Sequence, residues 1–404
     1  MPNPLLKDKN ILVGVTGSIA AYKTAEIIRG LRRDGAHVTV VMTMAGTKFV
    51  TPLTFAALSG NRVYVDMFDV ESPDHIPHIS LAKKSDLILV APATARTIAR
   101  MAHGFAEDLL SAIILASRAG IVVCPAMNSS MFLHQATQDN LKRIKNFGYN
   151  VVSPDNGELA CEEQGPGRLP DWNVIREAIL ASFSKQDLKG RSALISAGPT
   201  REPLDPVRFL SNYSTGKMGY ALATTARRRG ASVTLVSGPT SIPAPSRVKH
   251  IKVNTAEEMY KAVLNFHEHS SIIVMSAAVS DFRPAEISAH KIKKATGDTK
   301  FTLKENRDIL KELGKRKKKK GSGAPFLVGF AAESKDFEKE GKRKLEEKNL
   351  DIIAINDITR KDSGFGSDNS LMTLLDRRGE LEKLPLMSKE ETANLIWDRI
   401  VALL

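Results

Sequence analysis

The chain has 404 residues and a formal charge of +13, with 42% hydrophobic and 25% charged residues, which is ordinary for a globular protein. Its length predicts two or three domains, each able to bury its own core. No apolar run approaches the roughly 20 residues that a membrane-spanning helix needs, and no signal peptide opens the sequence, so we expect a cytoplasmic protein without a membrane partner.

The first half alternates apolar strands with helical stretches. The predicted strands are 10–15, 37–43, 86–92, 120–125 and 149–154, and a helix is predicted from Ser18 to Arg33. Near-continuous apolar strands separated by helices are typical of a parallel sheet that is covered on both faces.

A polar linker, predicted over 181–191, precedes a second alternation. Its predicted strands are 192–198, 231–238, 271–279, 325–333 and 350–357, and a hairpin from residue 371 leads to a C-terminal helix. The sequence therefore predicts an α/β protein with two Rossmann-like domains, residues 1–185 and 186–404.

Cysteine and lysine usage narrows the function further. Two cysteines exclude a disulfide framework, and no CxxC pair suggests zinc. Cys124 lies in an apolar run and is expected in the core, whereas Cys161 lies in a Gly-rich polar loop that leaves a thiol available for chemistry.

We interpret the basic run Lys315–Lys320 as a solvated loop after a helix. Without interleaved aromatic residues, the positive charge favours small anionic ligands over nucleic acid.

Small and hydroxylated residues follow the strands of the first half. Thr16, Gly17 and Ser18 form the turn after the first strand, Thr43 follows the second, and Thr94 follows the third. Ligands of doubly wound sheets bind at these carboxyl ends, and no acidic residue is placed to bind an NAD ribose. This pattern favours a mononucleotide over a dinucleotide.

Two further positions in the first half can carry chemistry. Asn128 follows the fourth strand and offers an amide that donates and accepts hydrogen bonds, although an asparagine there can equally cap the next helix. His75 and His78 precede the third strand, and their spacing alone does not choose between them.

The strand ends of the second half carry a different set of residues. Gly216 and Gly219 allow a ligand to approach the start of a helix beside Lys217. Asp281 follows an apolar strand, where a cation or a ribose could bind, and a lysine-rich stretch follows it at 290–294. Other candidates at strand ends or in the preceding loop are Arg208, Asn212, Phe330, Asn356 and Asp357.

Several motifs resemble known enzymes. TGSIAAYK (16–23), HISLAKKSDLILVAPATARTIARMAHGFAEDLLS (78–111), PAMNSSM (125–131) and ACEEQGPGRL (160–169) resemble flavin-dependent cysteine decarboxylases of coenzyme A synthesis. The second half, from LISAGPTREPLDPVRFLSNYSTGKMG at 194–219, resembles phosphopantothenate–cysteine ligases. The resemblance covers almost the whole chain, in the order of the prokaryotic fusion protein. It implies a flavodoxin-like decarboxylase sheet followed by a Rossmann-like ligase domain.

For the first domain, the resemblance implies bound FMN and a decarboxylation in three steps. The substrate thiol is oxidised, CO2 is then lost to give an enethiol, and the enethiol is reduced to 4'-phosphopantetheine. It identifies His78 as the active-site histidine and leaves His75 as a loop residue. Met127 and Asn128 would bind the substrate, and the group that Asn128 binds would be the substrate carboxylate. Cys161 would be the acid. The residues implied to contact FMN are Gly17, Ser18, Ile19, Thr43, Ala93, Thr94 and Ser111.

The chain departs from the decarboxylase pattern at two positions. Glu162 stands where the family usually has glycine, and Arg96 stands where it usually has asparagine or aspartate. A carboxylate beside Cys161 is expected to raise the pKa of its thiol or to alter the closure of its loop.

For the second domain, the resemblance implies CTP and Mg2+ or Mn2+. The carboxylate of 4'-phosphopantothenate would form an acyl-cytidylate, from which the amine of L-cysteine displaces CMP. Asn212 would bind this intermediate, Lys291 would serve the cysteine step, Arg208 would contact substrate, and Asp281 would bind the metal. The residues implied to contact CTP are Gly216, Lys217, Ala277, Ala278, Asp281, Lys291, Phe330, Lys344, Lys348, Asn356 and Asp357. A homo-oligomer of decarboxylase trimers joined through ligase dimers is expected.

Two other functions stay open from the residues alone. An NAD-dependent oxidoreductase of two Rossmann domains predicts an acidic residue after the second strand, where Met42, Thr43 and Met44 stand. A basic protein that binds nucleic acid predicts salt-sensitive binding and no flavin. The visible absorption spectrum distinguishes both from a flavoprotein.

Overall fold

The computed structural model describes residues 3–69, 75–158, 163–293, 300–333, 337–357, 364 and 366–404. The chain divides into two compact units, Met1–Ser184 and Lys185–Leu404. Within these described ranges, no helix is long and apolar enough to cross a membrane.

The first unit contains eight strands and eight α-helices within the described residues. Its strands are β1 (Asn10–Val15), β2 (His37–Met42), β3 (Val63–Tyr64), β4 (Leu87–Ala93), β5 (Gly120–Pro125), β6 (Asn150–Val151), β7 (Asp155–Glu158) and β8 (Gln164–Arg168). Its helices are α1 (Thr24–Arg33), α2 (Pro52–Ser59), α3 (Pro77–Lys84), α4 (Ala95–His103), α5 (Leu109–Ala116), α6 (Ser129–Leu133), α7 (Gln135–Asn146) and α8 (Trp172–Phe183), with 3₁₀ turns at Ile19–Lys23 and Gly46–Lys48.

Six of these strands form a parallel sheet in the order β3-β2-β1-β4-β5-β6. Without the two-residue edge strand β3, this is the flavodoxin-like order. The order reverses between β1 and β4, so the carboxyl ends of these two strands flank the crevice where such sheets bind ligands. Strands β7 and β8 pair separately as an antiparallel hairpin.

Burial on both faces explains the apolar strands of this sheet. Along β1, Ile11 and Val13 pack into one buried cluster with Trp172 of α8, whereas Leu12 packs into another with Leu110 of α5. Successive residues of a strand point to opposite faces, so a sheet covered by helices on both sides needs apolar residues at every position.

The second unit contains fourteen strands and five α-helices within the described residues. Its strands are β9 (Ser192–Ala197), β10 (Glu202–Pro203), β11 (Phe209–Leu210), β12 (Ser232–Ser237), β13 (Lys249–Lys252), β14 (Ile272–Met275), β15 (Phe282–Pro284), β16 (Leu303–Glu305), β17 (Phe326–Glu333), β18 (Ile352–Asp357), β19 (Asn369–Ser370), β20 (Met372–Asp376), β21 (Leu381–Lys383) and β22 (Met387–Ser388). Its helices are α9 (Lys217–Arg228), α10 (Ala256–Phe266), α11 (Ile309–Lys320), α12 (Phe337–Glu347) and α13 (Lys389–Leu403), with a 3₁₀ turn at His267–His269.

The main sheet of this unit has the order β13-β12-β9-β14-β17-β18-β20-β21. It is parallel as far as β18, and its order reverses between β9 and β14. Strands β20 and β21 are antiparallel and confirm the hairpin predicted from residue 371. The α/β class with two doubly wound sheets is therefore confirmed.

Three sequence-based boundaries were wrong. The helix predicted from Ser18 begins as the 3₁₀ turn Ile19–Lys23 and becomes α-helical only at Thr24. The strand predicted over 149–154 is reduced to Asn150–Val151. The predicted linker is partly structured, because α8 continues to Phe183 and Leu188 is fully buried in the core of the second unit.

The basic run Lys315–Lys320 is not a loop, and that interpretation was wrong. It forms the last turns of α11, where lysine is a good helix former and its charge complements the negative end of the helix dipole. Lys317 also donates a hydrogen bond to buried Asp351 at 2.5 Å. Burial lowers the pKa of Lys317, so this lysine is a structural contact rather than a solvated charge.

Candidate active sites

At the carboxyl edge of the first sheet, a buried hydroxyl joins two strands. Thr16 Oγ1 donates to the carbonyl oxygen of Pro92 at 2.6 Å and accepts from the Thr94 N–H at 3.1 Å. Thr16 is fully buried, so its hydroxyl holds the ends of β1 and β4 together rather than facing a ligand.

The turns after β1 and β2 pack tightly. A Cβ at Gly17 would lie 2.5 Å from the Cβ of Ala45, so glycine is needed for this packing. Ser18 caps the 3₁₀ turn by accepting from the Ala20 N–H, and Ile19 is 58% exposed. The Thr43 hydroxyl accepts from the Gly46 N–H at 3.2 Å.

Two other residues expected at the flavin carry out helix capping. Thr94 caps α4 by accepting from the Thr97 N–H at 3.3 Å. Ser111 donates to the Asp108 carboxylate at 2.7 Å and accepts from the Asp108 N–H at 3.2 Å, which completes a capping box at α5. Ala93 is fully buried at the end of β4. These local capping roles were not anticipated from the sequence.

His78 lies in the first turn of α3. A helix that connects parallel strands begins at the carboxyl edge of the sheet, which places His78 at that edge. Its Nδ1 is buried and has no hydrogen-bond partner among the residues that the structure describes. An unpaired buried nitrogen is costly, so this atom suits a hydrogen bond to a ligand. His75 is exposed.

Asn128 both caps a helix and presents its amide to an acidic side chain. Its Oδ1 accepts from the Ser130 N–H at 2.8 Å at the start of α6. Its Nδ2 donates to the carboxylate of Glu163 at 2.7 Å. The capping interpretation is therefore correct, and the amide nitrogen already holds a carboxylate, the group that the resemblance assigns to it.

The β7–β8 hairpin presses against the turn that carries Asn128. A Cβ at Gly167 would lie 2.1 Å from the carbonyl oxygen of Met127, and a Cβ at Gly165 would lie 2.4 Å from Ser129 Oγ. The Met127 N–H donates to the Gly167 carbonyl oxygen at 3.0 Å. The Gly-x-Gly spacing, interpreted as a polar loop, was the signal for this close approach.

The structure describes Cys124, whereas Cys161 lies outside the described residues. Cys124 is fully buried in β5, and burial raises the pKa of its thiol, so its core role is confirmed. Cys161 and Glu162 lie outside the described residues, between the paired residues Glu158 and Gln164. Arg96, the other departure from the family pattern, is exposed on α4.

The second sheet uses the same kind of hydroxyl contacts at its edge. Ser196 Oγ accepts from the Ala277 N–H at 3.1 Å, and Ser276 Oγ donates to the Ser196 carbonyl oxygen at 2.6 Å. Thr200 Oγ1 accepts from the Ser280 N–H at 3.0 Å. These bonds join the carboxyl ends of β9 and β14.

The start of α9 lies open to a ligand. Gly216 precedes it with a φ of +82°, a left-handed conformation that favours glycine, and it has no side chain to cap the helix. A Cβ at Gly219 would lie 2.5 Å from the Cβ of Ala197, so glycine lets α9 pack against β9. Uncapped N–H groups at a helix N-terminus attract phosphate.

A cleft that is open to solvent at its mouth lies beside this helix start. It is lined by Ser214, Gly216, Lys217, Met218, Gly219, Ser276, Ala277, Ala278, Phe330, Ala331, Ala332, Asn356, Gly364, Met372 and Lys389. The structure therefore brings together Gly216, Lys217, Ala277, Ala278, Phe330 and Asn356, all expected from the sequence to contact the nucleotide. We refer to this cleft as the ligase pocket.

Asn356 supplies an acceptor to the ligase pocket. Its Oδ1 is buried and has no partner among the described residues, and Phe330 lines the same pocket. An aromatic ring and an unpaired acceptor suit a planar base that carries an amine. Asp357 ends β18, and its side chain lies outside the description.

Asn212 is placed at the rim of the ligase pocket. Its Nδ2 donates to the carbonyl oxygen of Ala278 at 2.5 Å, and its Oδ1 accepts from the Ser214 N–H at 3.0 Å. Ala278 and Ser214 both line the pocket, so Asn212 fixes one wall of it.

Arg208 belongs to a polar cluster around buried Asp205, which also includes the backbone of Ile292. Arg208 donates to the Asp205 carboxylate at 3.0 and 2.5 Å and to the Ile292 carbonyl oxygen at 2.8 Å, and the Ile292 N–H donates back to Asp205 at 3.1 Å. The Arg208 guanidinium holds the pKa of Asp205 well below its usual value. Lys291, next to Ile292, is exposed.

The remaining predicted contacts lie outside the pocket lining. Asp281 is exposed, and no group of three His, Cys, Asp or Glu side chains suited to a metal is found in the described part of the chain. A divalent ion at Asp281 would therefore take most of its oxygen ligands from substrate and water. Lys344 lies on α12, and Lys348 forms an ion pair with Asp308 at 2.8 Å.

Lys389 is a pocket residue that sequence reasoning missed. It is the first residue of α13, is 8% exposed, and donates to the carbonyl oxygens of Gly364, at 3.3 Å, and Ser367. Burial and the neighbouring Lys217 ammonium lower the pKa of Lys389 to about 8. The available signal was a lysine at the first helical position, where acidic residues are favoured.

Comparison with known proteins agrees with this division. The family described as Flavoprotein matches residues 2–184, and the family described as DNA/pantothenate metabolism flavoprotein C-terminal domain matches residues 188–404. The Coenzyme A biosynthesis bifunctional protein CoaBC of Escherichia coli (strain K12) is 46% identical over 400 residues, which cover 98% of this chain and 97% of the relative. The protein of the same name from Bacillus subtilis (strain 168) is 43% identical over 403 residues, 99% of this chain and 98% of the relative.

Among solved structures, the crystal structure of the C-terminal domain of a Coenzyme A biosynthesis bifunctional protein CoaBC is 37% identical. It covers 54% of this chain and 98% of its own, with a TM-score of 0.46.

Proposed function

The chain belongs to the family of Coenzyme A biosynthesis bifunctional proteins CoaBC, and we infer from this premise that it catalyses two consecutive steps of coenzyme A biosynthesis. The second unit is a phosphopantothenate–cysteine ligase. The first unit is a flavoprotein that decarboxylates the ligase product to 4'-phosphopantetheine. We further propose a cytoplasmic homo-oligomer in which decarboxylase trimers are joined through ligase dimers, with no nucleic-acid partner.

We propose FMN as the cofactor of the first unit. Two features at the same sheet edge support this assignment: the buried Nδ1 of His78, which has no partner in the described part of the chain, and the small, uncharged turn Thr16–Ser18. Bound FMN would supply an electron sink by accepting a hydride from the carbon that bears the substrate thiol. Asn128 would hold the substrate carboxylate through the N–H group that now binds Glu163. Cys161 would donate the proton that completes the reduction.

We propose CTP as the nucleotide of the second unit. The observation that carries this proposal is the buried Oδ1 of Asn356 in the ligase pocket, which has no hydrogen-bond partner among the residues that the structure describes. This acceptor suits the exocyclic amine of cytosine, whereas uracil presents a carbonyl oxygen at that position and would leave both oxygens unpaired. Phe330 would stack on the base.

The charged groups around the ligase pocket then have separate tasks. Lys217 and the N–H groups at the start of α9 would bind phosphate oxygens, and Asp281 would hold Mg2+ together with those oxygens. The carboxylate of 4'-phosphopantothenate attacks the α-phosphate and releases pyrophosphate, and Asn212 would bind the resulting acyl-cytidylate. Arg208 would contact substrate, and Lys291 would serve the attack by the cysteine amine, which releases CMP.

Nucleotide choice tests the ligase proposal. The full chain is supplied with 4'-phosphopantothenate, L-cysteine and Mg2+, and with CTP, UTP or ATP in turn. We expect kcat/KM for CTP to exceed that for UTP by about 10²-fold or more, since a buried hydrogen-bonding group rejects a mismatched partner strongly. Asn356→Leu should remove most of this preference, whereas Asn265→Leu, at an exposed position of α10, should leave it unchanged. Equal use of UTP and CTP by the unaltered protein would contradict the assignment.

The cofactor and the independence of the two units are tested separately. The purified protein should show flavin absorption bands at about 370 and 450 nm. A protein that stays colourless after addition of FMN would contradict the flavin proposal. A fragment that begins near Gln186 should retain ligase activity with CTP, because the second unit has its own core and its own strand-end residues. A folded but inactive fragment would contradict the proposed boundary between residues 185 and 186.

A further inference from the structure

Two segments of the second unit each carry a residue expected to serve the ligase reaction. One is 204–208, which ends at Arg208, and the other is 288–292, which contains Lys291. We refer to them as the Arg208 turn and the Lys291 segment. Arg208 and Ile292 lie 84 positions apart in the sequence, so only tertiary contacts can set one segment against the other.

Hydrogen bonds join the two segments at both ends. The Ser288 N–H donates to the Leu204 carbonyl oxygen at 3.0 Å. At the other end, the Ile292 N–H donates to the Asp205 carboxylate at 3.1 Å, and Arg208 Nη2 donates to the Ile292 carbonyl oxygen at 2.8 Å. The backbone beside Lys291 is therefore held by Asp205 and Arg208 together.

The Asp205 carboxylate lies at the centre of these contacts, and its side chain is fully buried. Its Oδ1 accepts from the N–H groups of Val207 and Arg208 at 2.9 and 2.7 Å. Its Oδ2 accepts from Arg208 Nε at 3.0 Å and Nη2 at 2.5 Å, and from the Ile292 N–H. Five donors fill the roughly four lone-pair sites of a carboxylate, so Asp205 has no capacity left for a substrate or a metal.

Arg208 is held by one edge of its guanidinium. Nε and Nη2 bind Asp205 and Ile292, whereas Nη1 makes no hydrogen bond within the described part of the chain, and the side chain is 47% exposed. A guanidinium has five N–H groups in a fixed planar arrangement, so fixing one edge also fixes the direction of the other. The outer edge suits an anionic group of a substrate.

We propose that Asp205 is a positioning residue of the ligase, whose carboxylate aligns the Arg208 guanidinium and fixes the backbone beside Lys291 in one geometry. The proposal rests on the proposed ligase function and goes beyond it, because it makes the tasks of Arg208 and Lys291 depend on one buried group. Asp205 itself touches neither substrate nor nucleotide.

Asp205→Asn tests this link in the full-length protein. Asparagine keeps the size of the side chain, but it loses the charge and turns an NH2 group toward N–H donors. With CTP and Mg2+, KM for 4'-phosphopantothenate should rise by about fivefold or more, because Arg208 is misaligned. At saturating 4'-phosphopantothenate, conversion of the acyl-cytidylate with cysteine should slow by about tenfold or more relative to pyrophosphate release, because the Lys291 segment is displaced. KM for CTP should stay within about twofold.

The two readouts distinguish positioning from stability. A loss of folded protein lowers the rates of both half-reactions by the same factor and leaves KM unchanged. Asp376→Asn is the matched control, since Asp376 is also buried and accepts from the N–H groups of Arg378 and Glu380 and from the Arg399 side chain. This control should change neither KM nor the ratio of the two half-reactions.

Arg208→Lys decides the question if Asp205→Asn does not fold. Lysine keeps the positive charge, but a single ammonium group lacks the planar arrangement that binds Asp205 and the Ile292 carbonyl oxygen together. The cysteine step should therefore slow by about tenfold relative to pyrophosphate release, along with the rise in KM for 4'-phosphopantothenate.

Two results would overturn the proposal. One is a KM for 4'-phosphopantothenate and a ratio of half-reactions that both stay within twofold of the Asp376→Asn control. The other is a change in only one of these quantities, which would show that Arg208 and the Lys291 segment are not linked through Asp205. In both cases the unaltered protein still forms product with CTP, so the ligase function stands. Absence of product from the unaltered protein with every nucleotide would instead overturn the ligase function itself.

Discussion

Thr16 at the end of β1 and Ser196 near the end of β9 occupy equivalent places in two different sheets. Thr16 is hydrogen-bonded to the backbone of the neighbouring strand end at Pro92 and Thr94, and Ser196 to that at Ala277. Both residues are fully buried, and both lie where the strand order reverses. The two units therefore join the strand ends at this edge of the sheet by the same kind of hydrogen bond.

The residues that face a ligand at these edges differ in charge. In the first unit, no charged residue stands between Thr16 and Lys23, and Ser18 caps the 3₁₀ turn with a neutral hydroxyl. In the second unit, the two helices that begin at the pocket open with Lys217 and Lys389. This difference in charge supports the proposal of a flavin mononucleotide in the first unit and a nucleoside triphosphate in the second.

The largest expected effect comes from replacing the residue that we propose as the acid of the first unit. Cys161→Ser should lower the rate of 4'-phosphopantetheine formation by about 10²–10⁴-fold, because a hydroxyl is a far weaker acid than a thiol. Given phosphopantothenoylcysteine, it should release CO2 once and retain the enethiol product. His78→Asn should block the reaction before CO2 appears. Single-turnover CO2 release and product masses measure both effects.

Ligase activity in the same preparations serves as the internal control and should be unchanged. Cys124→Ala removes the other thiol, which is buried in β5, and should leave decarboxylation intact. Near-normal turnover by Cys161→Ser would exclude Cys161 as the acid and would direct attention to Glu162.

The next effect should divide the ligase reaction into its two halves. Lys291→Gln should still release pyrophosphate from CTP and should accumulate the acyl-cytidylate, but it should convert this intermediate to product about 10²-fold more slowly when cysteine is added. Quenched-flow product analysis measures both half-reactions. Lys293→Gln, at an exposed neighbour, is the matched control. Normal conversion by Lys291→Gln would identify the lysine-rich stretch as a solvated surface.

A smaller effect concerns the pH dependence of ligand binding in the ligase pocket. The pKa of Lys389 is lowered to about 8, so its ammonium is charged below that pH and becomes neutral above it. If a phosphate requires the charged form, the affinity for that phosphate ligand should fall by about tenfold from pH 7 to pH 9. The Lys389→Gln protein, which keeps Lys217 and Asp368, should not show this fall in affinity between pH 7 and pH 9. An identical pH profile in both proteins would show that Lys389 does not contribute to phosphate binding.

The smallest effects concern the shared hydroxyl contacts. Thr16→Val leaves two buried backbone groups unpaired and should lower the free energy of unfolding of the first unit by about 2–4 kcal/mol. Ser196→Ala leaves one unpaired and should cost the second unit about 1–3 kcal/mol. Calorimetry of the full chain, with the two unfolding transitions resolved, measures each, and Thr16→Ser should restore most of the loss. Equal stability of Thr16→Val and the unaltered protein would show that Thr16 is not a structural contact.

The alternation of apolar strands and helices could be predicted from the sequence, because a strand buried on both faces must be apolar at nearly every position. The same argument placed Cys124 in the core and identified the residues that follow β1, β4, β5, β9 and β14. Local sequence patterns predicted the bounds of very short strands and of the lysine-rich end of α11 less well. The two-residue strands β3 and β6 have too few residues to show a period, and Lys315–Lys320 lacks the apolar stripe by which a helix is recognised.

Contacts between distant segments were decided only by the tertiary structure. The sequence order of the strands does not reveal that β18 pairs with β20 in the antiparallel direction. Farther along the chain, Trp397 of α13 donates to the Leu222 carbonyl oxygen of α9 at 3.1 Å. That packing brings Lys389 beside Lys217, although the two lysines lie at opposite ends of the second unit's sequence. Likewise, Glu163 reaches Asn128 only because glycines let the β7–β8 hairpin approach the turn after β5. Local periodicity reports which face of an element is buried, and it carries no information about which element ends meet.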